Sequence, residues 1–272
     1  MAEMSIVWLR VAAGLYSLGL IDSILTITQR RAHLFRIAIG ALALAGVFHL
    51  VSIVEQGTAI GQFPASGFYE SMSLCAFLIT ALFLVVYWRY RLESLGVFIF
   101  PLVFIMTLVA SMGRPVQASW SSTVRDAWLI VHVVLVLLGY AALLFTAVAA
   151  VLYLVQEREL KRKKPRSFYH RLPPLGTLDD LITKFMSWGF VFITVAVVVG
   201  SVWAFVEFGT RWVTDPKIAI SLFTWGIYLA MVFLRVSAGW RGRKAAVMAI
   251  TALGCSALTW VAHAQLQSLW LR

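Results

Sequence analysis

Long apolar runs, each close to the length of a bilayer crossing and separated by short polar segments, dominate the chain. A membrane-spanning helix needs roughly 20 consecutive apolar residues. Eight stretches answer to that, at 5–27, 33–54, 68–88, 95–112, 128–155, 186–208, 218–236 and 245–268. The pattern predicts an all-α integral membrane protein, a polytopic bundle of about eight transmembrane helices. It divides into two spans over 1–62 and six spans over 63–272, the latter interrupted by a hydrophilic loop at 156–184. Within that loop, Pro173 and Pro174 precede T-L-D-D-L-I-T-K-F. Thr177 is a candidate N-cap there, with Asp179 and Asp180 in the first turn. Leu178, Leu181, Ile182 and Phe185 share one face, which predicts a short interfacial helix leading into the sixth span.

Composition agrees with the pattern. Of the 272 residues 61% are hydrophobic and only 13% charged, and the mean hydropathy is +0.87, outside the range of soluble domains. A formal charge of +11 raises nucleic acid as a partner, but the basic residues sit between apolar runs, where they set topology and meet anionic lipid. Nucleic-acid binding is therefore not expected. The segments Gln29–Arg36, Arg89–Ser94, Gln156–Lys184 and Arg235–Lys244 hold 17 of the 23 Lys and Arg residues, in alternate connections. By the positive-inside rule those connections are cytoplasmic and both termini face outward. The start of the chain lacks a basic n-region and a small-residue cleavage site, so the first apolar run is expected to be kept as a span. Cys75 and Cys255 are isolated, with no C-x-x-C or C-x-x-C-H, which argues against thiol–disulfide exchange and against covalently attached haem.

Titratable groups inside spans are costly and mark functional candidates. On this topology His49, Glu70, His132 and His263 fall at the outer level, together with Trp203, Glu207, Trp212 and Asp215. Asp22 falls near the cytoplasmic end of the first span and reads as a helix-end residue. Imidazole ligates haem iron and aromatic faces bracket a porphyrin, so the set suggests an outward pocket for non-covalent haem. A lone membrane histidine also serves as a helix–helix hydrogen-bond partner, and Glu70 can cap its helix; the residues alone leave both readings open. There is no phosphate loop, H-E-x-x-H, G-x-S-x-G or closed Cys/His metal set.

The ordered pieces F-P-A-S-G-F-Y-E-S around Glu70, W-L-I-V-H-V-V-L-V-L-L-G-Y-A-A around His132, L-P-P-L-G-T-L-D-D-L, G-S-V-W-A at Trp203, G-T-R-W-V-T-D-P-K, T-W-G-I-Y at Trp225 and G-W-R-G-R-K-A at Trp240 run from about residue 63 to the last span. The chain resembles the cytochrome c assembly family, the CcsA/ResC group, and especially its short HemX/YpjD-like members. The resemblance implies a multi-pass protein of the bacterial inner membrane that holds haem at its outer face for attachment to apocytochrome c. His132 would be the axial ligand of the haem iron, and Trp203, Trp212 and Asp215 part of the haem-handling stretch. His49, His263 and Glu70 remain candidates beside it. A CcsB/ResB-like subunit and apocytochrome c are the implied partners, and the chain would at most be the haem-delivering subunit of a synthase complex. The sequence departs from the fuller pattern at Thr214, Ile218, Leu234 and Trp270, where that pattern has Trp, Glu, His and His. The alternative is a HemX-like, non-catalytic membrane protein acting on haem biosynthesis through a cytoplasmic partner of the 157–184 loop. A solute transporter would need charged or broken helices at the bilayer midplane, which the pattern does not offer.

Overall fold

The computed structural model describes residues 2–29, 32–61, 63–64, 67–113, 123–162, 172–209 and 216–270, with side chains over 4–25, 35–61, 63–64, 67–113, 127–162, 172–206, 209, 218–219 and 221–258. The described residues form helices and no strand: α1 (Ala2–Gln29), α2 (Ala32–Ile60), α3 (Phe68–Tyr90), α4 (Glu93–Ala110), α5 (Thr123–Leu160), α6 (Leu175–Phe208), α7 (Pro216–Val236) and α8 (Arg243–Trp270). All eight predicted spans are helices. Six described segments, in α1 to α6, are long and apolar enough to cross a membrane, and Ser221–Val236 of α7 is a shorter apolar helix.

Three boundaries depart from expectation. α2 continues through Glu55–Ile60, and α5 through Leu160, where loops are predicted. The separate interfacial helix is absent, because α6 runs unbroken from Leu175. Its N-cap position is Pro174, which makes no side-chain cap bond, so Thr177 does not start the helix. The reason is phase: Leu178, Leu181, Ile182 and Phe185, expected to share one face, are buried and stay in register with the span that follows. The polar turn between them needs no break, since Asp179 finds a cation.

The chain forms two units, Met1–Ile130 and Val131–Arg272. In the first, α1 to α4 bury an aromatic cluster in which Phe35, Phe83 and Phe100 meet edge to face or tilted, joined by Tyr87. Gly19 and Gly96 lie against Phe100, so the small residues set how closely these helices approach. Val7, Leu18, Ile21, Ile37, Leu44 and Val47 face outward, as a lipid-facing surface requires, while Ser5, His49, Ser52, Glu70, Ser73 and Thr80 are buried.

In the second unit α5 and α6 run antiparallel in a fixed register. Reading down α5, the ring of His132 lies over Gly200, Gly139 faces Ile193, Ala142 faces Gly189, and Phe145 meets Phe185 at a tilt with ring centroids 5.2 Å apart. Steps of seven, three and three residues on α5 are matched by steps back of seven, four and four on α6, the spacing that keeps one helical face in contact. Ala141, Ala142 and Ala147 are buried, as expected of small residues that let helices close up. α7 locks onto the pair: Tyr228 donates to the Gly139 carbonyl at 2.5 Å and Trp225 Nε1 donates to Thr194 at 3.1 Å. Those are the aromatic positions of the T-W-G-I-Y piece.

Candidate functional site

His132 stands on α5, in the tenth helical position from Thr123, with its ring half-buried against α6. Its Nδ1 lies 2.9 Å from the Ala196 carbonyl oxygen. A carbonyl only accepts, so Nδ1 carries the proton and donates it. In the neutral ring Nε2 then keeps its lone pair, which is the state in which imidazole ligates a metal. Gly200 makes room for the ring: a Cβ there would fall 2.7 Å from Nδ1 and 3.4 Å from Nε2. Ala196, Gly200 and Trp203 recur at four- and three-residue steps, so they share a stripe of α6, with half-buried Trp203 one turn beyond His132 towards the C-terminal end of α6. The structure thus brings His132 and Trp203 to the same end of the α5–α6 pair. Trp212 and Asp215 lie outside the described residues, as do the side chains of Glu207 and of His263 on α8.

His49 and Glu70 belong to the first unit. Glu70 is buried in the first turn of α3, its carboxylate folded back over Gly67 at the N-cap. That is the third helical position, from which a Glu reaches the helix start. Ser73 follows one turn later, and Glu70, Ser73, Phe77 and Thr80 form one stripe on α3. His49 is fully buried against that stripe. Its Nε2 is 2.9 Å from Ser73 Oγ and its Nδ1 is 3.3 Å from the Tyr16 hydroxyl, while Phe77 meets the ring edge-on. Thr80 donates to the Ala76 carbonyl and lies 3.2 Å from Tyr16. Both ring nitrogens of His49 are therefore occupied by hydroxyl groups from α1 and α3. Tyr16, Ser73 and Thr80 carry no signal in the sequence, because a hydroxyl in an apolar run costs little and is common.

A second polar centre lies at the other end of α6, and the sequence disguised it. Arg235, read there as one more topology charge, is buried within the second unit. Its Nη1 donates to Asp179 Oδ1 and to the Trp240 carbonyl, both at 3.0 Å, and Nη2 donates to Asp179 Oδ2 at 2.7 Å and to Thr183. Gly242 N–H donates to Asp179 Oδ1 at 3.1 Å. Gly239 and Gly242, at φ +63° and +61°, give the turn its left-handed corners, and Gly242 leaves no side chain where the Tyr153 hydroxyl approaches. Asp179 of the L-P-P-L-G-T-L-D-D-L piece and Trp240 and Gly242 of the G-W-R-G piece are thus joined in one clasp through Arg235, 56 positions from Asp179.

Among the described residues no group of three or more His, Cys, Asp and Glu could hold a metal ion by itself. One imidazole is enough to ligate a macrocycle whose own nitrogens complete the coordination.

Helix count, apolar spans and the placement of polar groups define a polytopic helical membrane protein. The sequence profile of the family described as Cytochrome C assembly protein matches residues 65–266, and the chain belongs to that family. Relatives named cytochrome c biogenesis protein CcsA include one from Chlamydomonas reinhardtii, 30% identical over 196 residues that make up 70% of this chain and 54% of the relative. One from Guillardia theta is 26% identical over 269 residues, covering 91% and 86%. One from Synechococcus sp. is 28% identical over 259 residues, covering 86% and 84%. The chain thus spans about half of the Chlamydomonas protein and most of the other two.

Proposed function

We propose that this protein is a membrane component of cytochrome c biogenesis that holds haem non-covalently at its outer face, with His132 Nε2 as an axial ligand of the iron. The observation that carries the reading is the hydrogen bond from His132 Nδ1 to the Ala196 carbonyl, which leaves the other ring nitrogen unprotonated and able to ligate a metal. Trp203, one turn along the same stripe, supplies an aromatic face, and Trp212 and Asp215 follow in the connection to α7. The haem carries the reactive chemistry; the chain ligates it, orients it and keeps water from it. The setting is a bacterial inner membrane, with apocytochrome c as acceptor and a CcsB/ResB-like subunit beside this one.

The test is an absorption spectrum of protein purified in mild detergent from haem-replete cells, compared with His132→Ala and Trp212→Ala. A Soret band in the parent, lost or shifted in His132→Ala, supports the assignment. A haem-free parent, under conditions in which a longer relative keeps its haem, overturns it. The departures at Thr214 and Ile218 favour a second reading, a HemX-like regulator of haem biosynthesis. In that case the 157–184 segment captures a haem-biosynthetic enzyme and the His132→Ala variant retains full function in cells.

A further inference from the structure

We infer that Ala196 and Gly200 of α6 are positioning residues for His132: the Ala196 carbonyl fixes the ring as its Nδ1–H tautomer, and the missing side chain at Gly200 is the space the ring occupies. The inference deepens the haem-ligand reading and rests on it, but its geometric half stands alone. An imidazole free to turn about χ2, or to move its proton, would present Nε2 in only part of its population. A hydrogen bond at the non-ligating nitrogen removes that freedom and raises the basicity of the ligating one. Here the acceptor is a main-chain carbonyl inside a long helix, so it cannot rotate away as a side chain would.

Gly200 is the complementary requirement. A Cβ on its backbone would stand 2.7 Å from His132 Nδ1 and closer still to Cε1, against roughly 3.5 Å for a relaxed contact. The ring would have to retreat by about an ångström, which also breaks the 2.9 Å bond to Ala196. Helix packing by itself does not demand this glycine. The neighbouring close approach, Gly139 against Ile193, fixes the register of α5 and α6 independently. Gly176, on the same helix, has nothing within 4 Å of where its Cβ would be and serves as the control.

The experiment has two arms. In the first, apoprotein labelled with ¹⁵N-histidine is examined by NMR at pH 8, with His132→Ala to assign the signal. The expected result is a single tautomer with Nδ1 protonated and Nε2 bare; a protonated Nε2, or an average of both tautomers, overturns the inference. In the second arm, hemin is titrated into the parent, Gly200→Ala and Gly176→Ala. Gly200→Ala should bind 10–100-fold more weakly with a displaced Soret maximum, while Gly176→Ala matches the parent. Parent-like affinity and spectrum in Gly200→Ala overturn the inference. If Gly200→Ala does not elute as a monodisperse species, the NMR arm decides on the unsubstituted chain. If His132→Ala keeps the parent haem spectrum, the ligand reading fails, and the NMR arm still decides whether Ala196 holds the ring.

Discussion

Breaking the Asp179–Arg235 clasp should destabilise the second unit unequally from its two sides. Arg235 is 6% exposed and Asp179 20%. In Asp179→Leu the guanidinium loses its counter-charge while walled in, and the Trp240 carbonyl and Thr183 hydroxyl cannot replace a carboxylate. Removing one partner of a buried ion pair costs about 3–5 kcal/mol, and this variant belongs at that end. In Arg235→Met the carboxylate left behind still accepts from Gly242 N–H and is more open to water, so the cost falls to about 1–3 kcal/mol, the scale of an unsatisfied polar group. The double variant Asp179→Leu/Arg235→Met removes both charges and should recover much of the loss, since apolar replacement of a buried pair is often neutral or better. Reversible unfolding in mixed micelles, followed by helical circular dichroism, measures all three. Equal costs for the two single changes, or additivity in the double, would refute the reasoning, because an exposed pair behaves that way.

Three further outcomes follow from the packing. His49→Ala should cost about 2–4 kcal/mol in the same assay, since it strands the Tyr16 and Ser73 hydroxyls in a closed interior, yet leave the Soret band of the purified protein unchanged; loss of haem would make His49 a ligand after all. Gly139→Ala places a methyl against Ile193 and should cost about 1–3 kcal/mol, largely restored by adding Ile193→Ala. No restoration would mean that the α5–α6 register is set elsewhere. Tyr228→Phe removes one buried hydrogen bond to the Gly139 carbonyl and should cost about 0.5–1.5 kcal/mol, with no change in oligomeric state.

The spans were legible because a bilayer imposes one requirement, a run of apolar residues long enough to cross it, and that requirement is written locally. What was not legible was pairing. Asp179 looks like a helix-dipole charge and Arg235 like a topology charge, and each would be that in isolation; only the antiparallel return of the chain sets them 2.7 Å apart. His132 stood out as an imidazole in an apolar run, but its tautomer depends on a carbonyl 64 residues away, and backbone groups have no sequence signature. Gly200 is one of several glycines in apolar helices, and its role emerges only with the ring that lies on it. His49 shows the converse. The same residue type in another apolar span is enclosed by hydroxyl groups whose positions no periodicity marks.

Whether Nε2 of His132 binds iron is tested most directly by cavity rescue. His132→Gly protein would be prepared from cells grown with and without imidazole, and its reduced and oxidised spectra recorded. Haem content that collapses without imidazole and returns with it, accompanied by the parent Soret and α bands, is the predicted result. A His132→Gly protein that holds haem with the parent spectrum in the absence of imidazole would contradict the account.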